Sequence, residues 1–140
     1  MQEDINLQKL LSENGLSRVD STLGTDKNYP HTYIQNFYEE FFSLIDRPKK
    51  LLEIGIWKGA SCALWKKAFP DCAVFGIDIN IQELHPIAEK MRAEKEIELL
   101  EMDAYSEGLS RFSAGGIDLV IDDGPHTLES QILALNWIPL

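Results

Sequence analysis

Cysteine is scarce in this chain. Cys62 and Cys72 are its only thiols and form no C-x-x-C pair, so a reducing cytoplasm is the expected setting, with Cys62 read as a small helical residue. Long apolar runs are also missing: no stretch suffices to span a bilayer, and the N-terminus lacks the uninterrupted apolar run of a signal peptide. Positive charge is in short supply, with 13 Lys and Arg against 23 Asp and Glu and a formal net charge of −10. That balance disfavours a nucleic-acid partner, whose phosphates demand clustered cations, and the densest basic spot is only the "RPKK" of residues 47–50. What is present is an ordinary globular composition, 44% apolar and 26% charged, over 140 residues: room for one domain and a real core, yet short for a doubly wound enzyme.

Residues 5–13 carry Ile5, Leu7, Leu10 and Leu11 at helical spacing, with Asn14-Gly15 as a stop. Residues 31–45 place Tyr33, Ile34, Phe37, Phe41 and Leu44 on one stripe, which predicts a second helix packing through that stripe. From residue 50 onward strand and helix alternate. Strands are predicted at 50–56, 72–79, 96–103 and 116–123, and helices at 60–69, 81–94, 105–112 and 127–137, Pro86 marking the first turn or true start of the second of these. Such alternation requires a parallel sheet with right-handed crossovers, hence an α/β fold with helices on both faces, and ligands then bind beyond the carboxyl ends of the strands. The predicted organisation is an N-terminal helical cap segment, 1–48, and a cofactor-binding domain, 49–140.

Four candidate positions lie at those strand ends: Gly55, Asp78, Asp103 and Asp122. The loop "GIWKG" leads into a helix near Ala60, and its glycines are expected to let a ligand lie against backbone N–H groups. Trp57 stands where a dinucleotide fingerprint needs its second glycine, which disfavours NAD. Asp78 sits where a doubly wound domain offers two acceptor oxygens to a ribose diol; a strand-end turn is its plainer reading. Asp103 reads equally as a ligand acceptor or as a cap for the helix beginning near Tyr105. In "IDLVIDDGPHT", 117–127, two carboxylates end an apolar strand and an imidazole follows three residues after Asp123. Acids there are costly unless hydrated, hydrogen-bonded or bound to a hard cation such as Mg²⁺, while His126 has the titration range of a general base. The plainer reading is a turn and helix cap.

The pattern E-x-G-x-x-x-G-x-S, carried by Glu53, Gly55, Gly59 and Ser61, resembles motif I of the class I S-adenosylmethionine-dependent methyltransferases. With "LGTDKNYPHTYIQNFYEEFF", "FGIDI" and "IDLVIDDGPHT", the stretch from about residue 22 onward is similar to the metal-dependent sugar O-methyltransferases of macrolide and rhamnosyl pathways. The resemblance implies a Rossmann-like methyltransferase fold, S-adenosylmethionine and Mg²⁺ as cofactors, and methyl transfer to a hydroxyl of a sugar or natural-product acceptor. It assigns Asp123 to the metal and His126 to the proton. Glu53, Gly55, Gly59, Ser61, Asp78, Asp103 and Asp122 fall to the cofactor, and Lys27, His31 and Tyr33 close the site over its methionine end.

Two departures qualify that picture. Pro125 replaces a small polar residue and stiffens the loop that aims His126. After "LALNWIPL" the family pattern continues into a fifth strand ending in an acidic pair that supplies further metal ligands, so the metal carries over only in part. Without that strand the fourth is an open edge, and a truncated chain or a homo-oligomer covering the edge is the expected outcome. The competing expectation is a shortened methyltransferase-like module that binds without catalysing.

Overall fold

A computed structural model describes residues 4–105 and 116–137. Its centre is a parallel sheet of β1 (Lys50–Ile54), β2 (Ala73–Asp78), β3 (Ile97–Glu101) and β4 (Leu119–Asp122) in the order β3-β2-β1-β4. The order reverses between β1 and its two neighbours, so the loops leaving β1 and β4 diverge and a crevice opens at the carboxyl ends. Ile54 lies opposite Ile77 on one side and Asp122 on the other, which sets the three loops after these strands at one level. The predicted strands and helices are observed within a few residues, except that the helix expected at 105–112 lies outside the described residues. Among the described residues β4 pairs with β1 alone.

One face of the sheet carries α1 (Leu7–Asn14), α2 (Glu39–Leu44), α3 (Ala60–Ala68) and α4 (Pro86–Ala93); α5 (Leu128–Trp137) follows β4. Asn6 caps α1 through Lys9 N–H, and Gly15 ends it in the left-handed region at φ 59°. Pro86 is the first residue of α4, where its missing N–H costs nothing, and His85 accepts from Ile87 N–H as the cap. Leu7, Leu11, Ile34 and Phe42 of the N-terminal segment are buried in the same cluster as Leu64 and Trp65 of α3 and Val74 of β2. Residues 4–48 therefore contribute to the core of the sheet.

The face of the second helix differs from its prediction. A π-helical turn spans Ile34–Tyr38, closed by the Glu39 N–H donating to the Ile34 carbonyl, and its wider pitch rotates the remainder of the helix. Ile34 and Phe42 are buried and Tyr38 and Phe41 half-buried, whereas Tyr33, Phe37 and Leu44 of the predicted stripe are exposed. Tyr38 and Phe42 instead pack on Trp65, with ring centroids 5.0 and 5.4 Å away.

Candidate functional site

A cavity of about 720 Å³ opens beyond the carboxyl ends of the strands. That volume suits a ligand of nucleoside size or somewhat larger. Its wall includes Gly55, Asp78 and Asp103 from the ends of β1, β2 and β3, Asp123 and His126 from the loop after β4, and residues 24–27 of the long N-terminal connection.

Gly55 has φ 80°, and a Cβ there would collide with the backbone carbonyl of Asp123. Gly59 has φ 79° and caps α3; its Cβ would stand 3.0 Å from that of Ala88. Their N–H groups donate to the Ile77 and Ile56 carbonyls. Both glycines are thus required by close approach of the chain to itself, a demand that stands beside the expectation that they clear space for a ligand. Gly59 is not part of the cavity wall.

Asp78 accepts from Trp57 N–H at 3.0 Å and from Asn80 N–H at 3.2 Å, one on each carboxylate oxygen. It shapes both neighbouring loops and keeps a second acceptor position on each oxygen for a diol. Asp103 accepts from Tyr105 N–H at 2.9 Å, so its turn-forming role and its place on the cavity wall coexist.

At the opposite end lies a buried charge cluster. Glu53 is fully buried; its carboxylate accepts from Ser61 Oγ at 2.5 Å and from Trp65 Nε1, and lies 3.6 Å from Lys27 Nζ. Burial pushes the Glu53 carboxyl above its ordinary range, with Lys27, Ser61 and Trp65 pulling it back. Lys27, 3% exposed, also donates to Asp123 Oδ2 at 2.5 Å. Burial alone would lower its pKa, but Glu53 and Asp123 together hold it above the usual lysine value. Asp123 Oδ1 in turn lies 3.3 Å from His126 Nε2, an imidazole 65% exposed at φ 59°. Trp57, at φ 54°, is the other non-glycine residue of the wall with positive φ. Such conformations cost about 1–2 kcal/mol each and persist where neighbours enforce them.

Several expected residues therefore stand elsewhere. Glu53 is sealed behind the wall, engaged by Lys27, Ser61 and Trp65. Ser61 reaches the cavity, but its hydroxyl donates to Glu53. Tyr33 is outside the wall, stacked on His31 at 5.1 Å, and His31 lies 3.7 Å from Asp26. Asp122 is also outside the wall, where its Oδ1 accepts from Tyr105 Oη at 2.9 Å and Gly124 N–H at 3.0 Å. Burial and that hydrogen bond raise the Tyr105 phenol above its ordinary pKa. Tyr105 and Arg18 are site residues that sequence patterns do not reveal. Nothing in the spacing of "DAYS" marks the first, and Arg18 lies just past the stop of the first predicted helix, in a stretch without a motif. As for a metal, no group of three or more His, Cys, Asp or Glu converges to hold one among the described residues, and Asp123 Oδ2 is taken by Lys27.

Comparison with known proteins accords with this geometry. Over 134 residues the chain is 30% identical to the 8-demethyl-8-alpha-L-rhamnosyl tetracenomycin-C 2'-O-methyltransferase of Streptomyces olivaceus, covering 89% of this chain and 34% of that protein. It is 31% identical over 121 residues to the mycinamicin VI 2''-O-methyltransferase of Micromonospora griseorubida, covering 79% and 29%. The chain thus spans about a third of the length of these relatives. In fold it is similar to the MycE methyltransferase of the mycinamycin biosynthetic pathway solved with Mg and SAH, with a TM-score of 0.52 and 22% identity over 98% of this chain and 33% of that one. The same enzyme solved with Mg, SAH and mycinamycin VI also gives a TM-score of 0.52, with 22% identity over 99% and 41%. Residues 52–139, from the first glycine loop through the Asp-Asp-Gly-Pro-His segment, match the family model described as a methyltransferase domain, and the chain belongs to that family.

Proposed function

We propose that this chain binds S-adenosylmethionine and serves methyl transfer to a hydroxyl of a sugar or natural-product acceptor. The observation that carries the proposal is one cavity with Asp78 and Asp103 at one end and the Asp123–His126 pair at the other. Among the described residues four carboxylates line it, those of Asp26, Asp78, Asp103 and Asp123, against the cations of Arg18, Lys27 and Lys58. That excess of acid disfavours a pyrophosphate and suits a cationic sulfonium.

When bound, S-adenosylmethionine supplies a methyl group activated by its positive sulfur. The chain supplies the rest. Asp78 presents acceptor oxygens to the ribose hydroxyls and Asp103 to the adenine amino group. His126, with Nε2 turned to Asp123, leaves Nδ1 to take the acceptor hydroxyl's proton as the new C–O bond forms and the C–S bond breaks. Asp123 stabilises the resulting imidazolium, and Lys27 holds Asp123 in place. Binding both reactants in one crevice converts an encounter into an oriented displacement.

Mg²⁺ fits this donor set incompletely. Asp123 is its candidate ligand, and its Oδ2 already holds an ammonium group, so no step above depends on a metal. No helix among the described residues is long and apolar enough to cross a membrane. Both cysteines are free, which suits a cytoplasmic setting. The side of β4 without a partner strand among the described residues is the surface a second copy would cover, and sedimentation would report it as a dimer.

Calorimetric titration of the purified chain with S-adenosylmethionine and S-adenosylhomocysteine, with and without Mg²⁺, tests the proposal. Micromolar binding that disappears in Asp78→Ala is expected. A folded chain that gives no heat with either ligand overturns it.

A further inference from the structure

The family resemblance implies that Lys27 helps close the site over the methionine end of the cofactor, and in the structure its charge is committed to two carboxylates. Its ammonium is buried between Glu53 and Asp123, which leaves no uncompensated positive charge to offer a ligand. Three amides of the glycine loop are engaged as well: Gly55 and Gly59 donate to backbone carbonyls and Trp57 to Asp78. Yet the aminoacyl end of the proposed cofactor carries a carboxylate, and a carboxylate entering an acid-lined cavity requires charged donors.

Besides Lys27, the described residues of the wall include two Lys or Arg side chains, Arg18 and Lys58. Both lie against one aromatic ring. Arg18 Cζ is 5.9 Å and Lys58 Nζ 5.1 Å from the centroid of Trp57, itself 59% exposed on the left-handed turn of the glycine loop. The ring holds both charged heads against it without neutralising either. The ion pair that Arg18 makes, with Asp26 Oδ2, is long at 3.9 Å, and both side chains are well exposed. A guanidinium so placed retains free donors.

We infer that Arg18 and Lys58, both held against the Trp57 ring, bind the carboxylate of the aminoacyl end and so select a cofactor that carries one. Trp57 is a positioning residue in this arrangement, and its strained backbone is what turns the indole towards both cations. The inference rests on the cofactor reading above and adds to it the recognition of one functional group.

The test compares two ligands that share the adenosine and the thioether and differ in the aminoacyl group: S-adenosylhomocysteine has it, 5′-methylthioadenosine lacks it. Calorimetry on the wild type, Arg18→Met, Lys58→Met and the double variant reads the difference directly. Loss of charge-assisted hydrogen bonds is expected to weaken S-adenosylhomocysteine by roughly ten- to hundredfold in the double variant. Each single variant should lose about three- to tenfold, with Arg18→Lys recovering part of its share, while 5′-methylthioadenosine changes by less than about twofold. Retained 5′-methylthioadenosine binding also reports that each variant is folded. Unchanged S-adenosylhomocysteine affinity, or an equal loss for both ligands, overturns the inference and leaves the cofactor reading standing. A wild type that binds neither ligand overturns both.

Discussion

The two ends of the cavity use the same side chain in opposite ways. At the β2 and β3 end, the half-buried Asp78 accepts from Trp57 N–H of the loop after β1 and Asn80 N–H of its own loop, and the exposed Asp103 accepts from Tyr105 N–H. At the β1 and β4 end, Glu53 and Asp123 share a sealed lysine, and that lysine comes from a connection 26 residues before one acid and 96 before the other. An acid at a strand terminus is thus defined by what seals it. Asp78, held by amides alone, retains acceptor capacity for a ligand, while Glu53, sealed against a lysine, becomes part of the framework that holds Asp123.

Removing Lys27 breaks this contrast most severely. Lys27→Met leaves the fully buried Glu53 and the partly buried Asp123 without their shared counter-charge, and denaturant unfolding should show a loss of about 3–5 kcal/mol. Asp78→Ala, by comparison, should change stability by less than about 1 kcal/mol, its measurable effect falling on cofactor affinity. Equal losses in the two variants would erase the distinction between the ends.

A smaller effect is expected from alkali. Burial pushes Tyr38 up to about 12 against an ordinary 10.0, with Lys27 opposing the shift and Glu53 adding to it. Lys27 likewise keeps its proton in the fold beyond the point where the unfolded chain releases it. Both groups bind more protons folded than unfolded, so their contribution is intact at neutral pH and falls as pH rises from 10.0 towards about 12. Thermal melts across that window should show a decline that Tyr38→Phe makes shallower; a melting temperature independent of pH there would contradict the buried pairing.

The smallest structural effect is expected at His126, where catalysis and stability separate. Asparagine tolerates a left-handed backbone, so His126→Asn should leave stability within about 0.5 kcal/mol of the wild type. Cofactor binding should persist and methyl transfer to a hydroxyl should be lost. Full transfer by the variant would move the proton acceptor elsewhere.

Sequence patterns disclosed most of the framework because its signals are local. Alternating apolar runs located the four strands, Pro86 marked the start of α4, and Gly15 the end of α1. The face of the second helix was hidden, since a π-helical turn leaves the residue spacing unaltered while rotating every side chain beyond it. The buried cluster was hidden for a different reason. Lys27, Glu53 and Asp123 meet only after the sheet has assembled, and a linear pattern assigns each of them to a ligand as readily as to one another. Gly55 stood out in the sequence for the ligand space it would leave, whereas the crowding that holds it as glycine comes from the Asp123 carbonyl, 68 positions along the chain.

That crowding sets a length scale. With no atom to spare between Gly55 and the peptide that carries Asp123, the two loops abut like the jaws of a gauge, and their separation is set by van der Waals radii instead of by a hinge. For the proposed methyl transfer, an acceptor would have to conform to that fixed separation, and discrimination among hydroxyls would become a question of reach and stereochemistry.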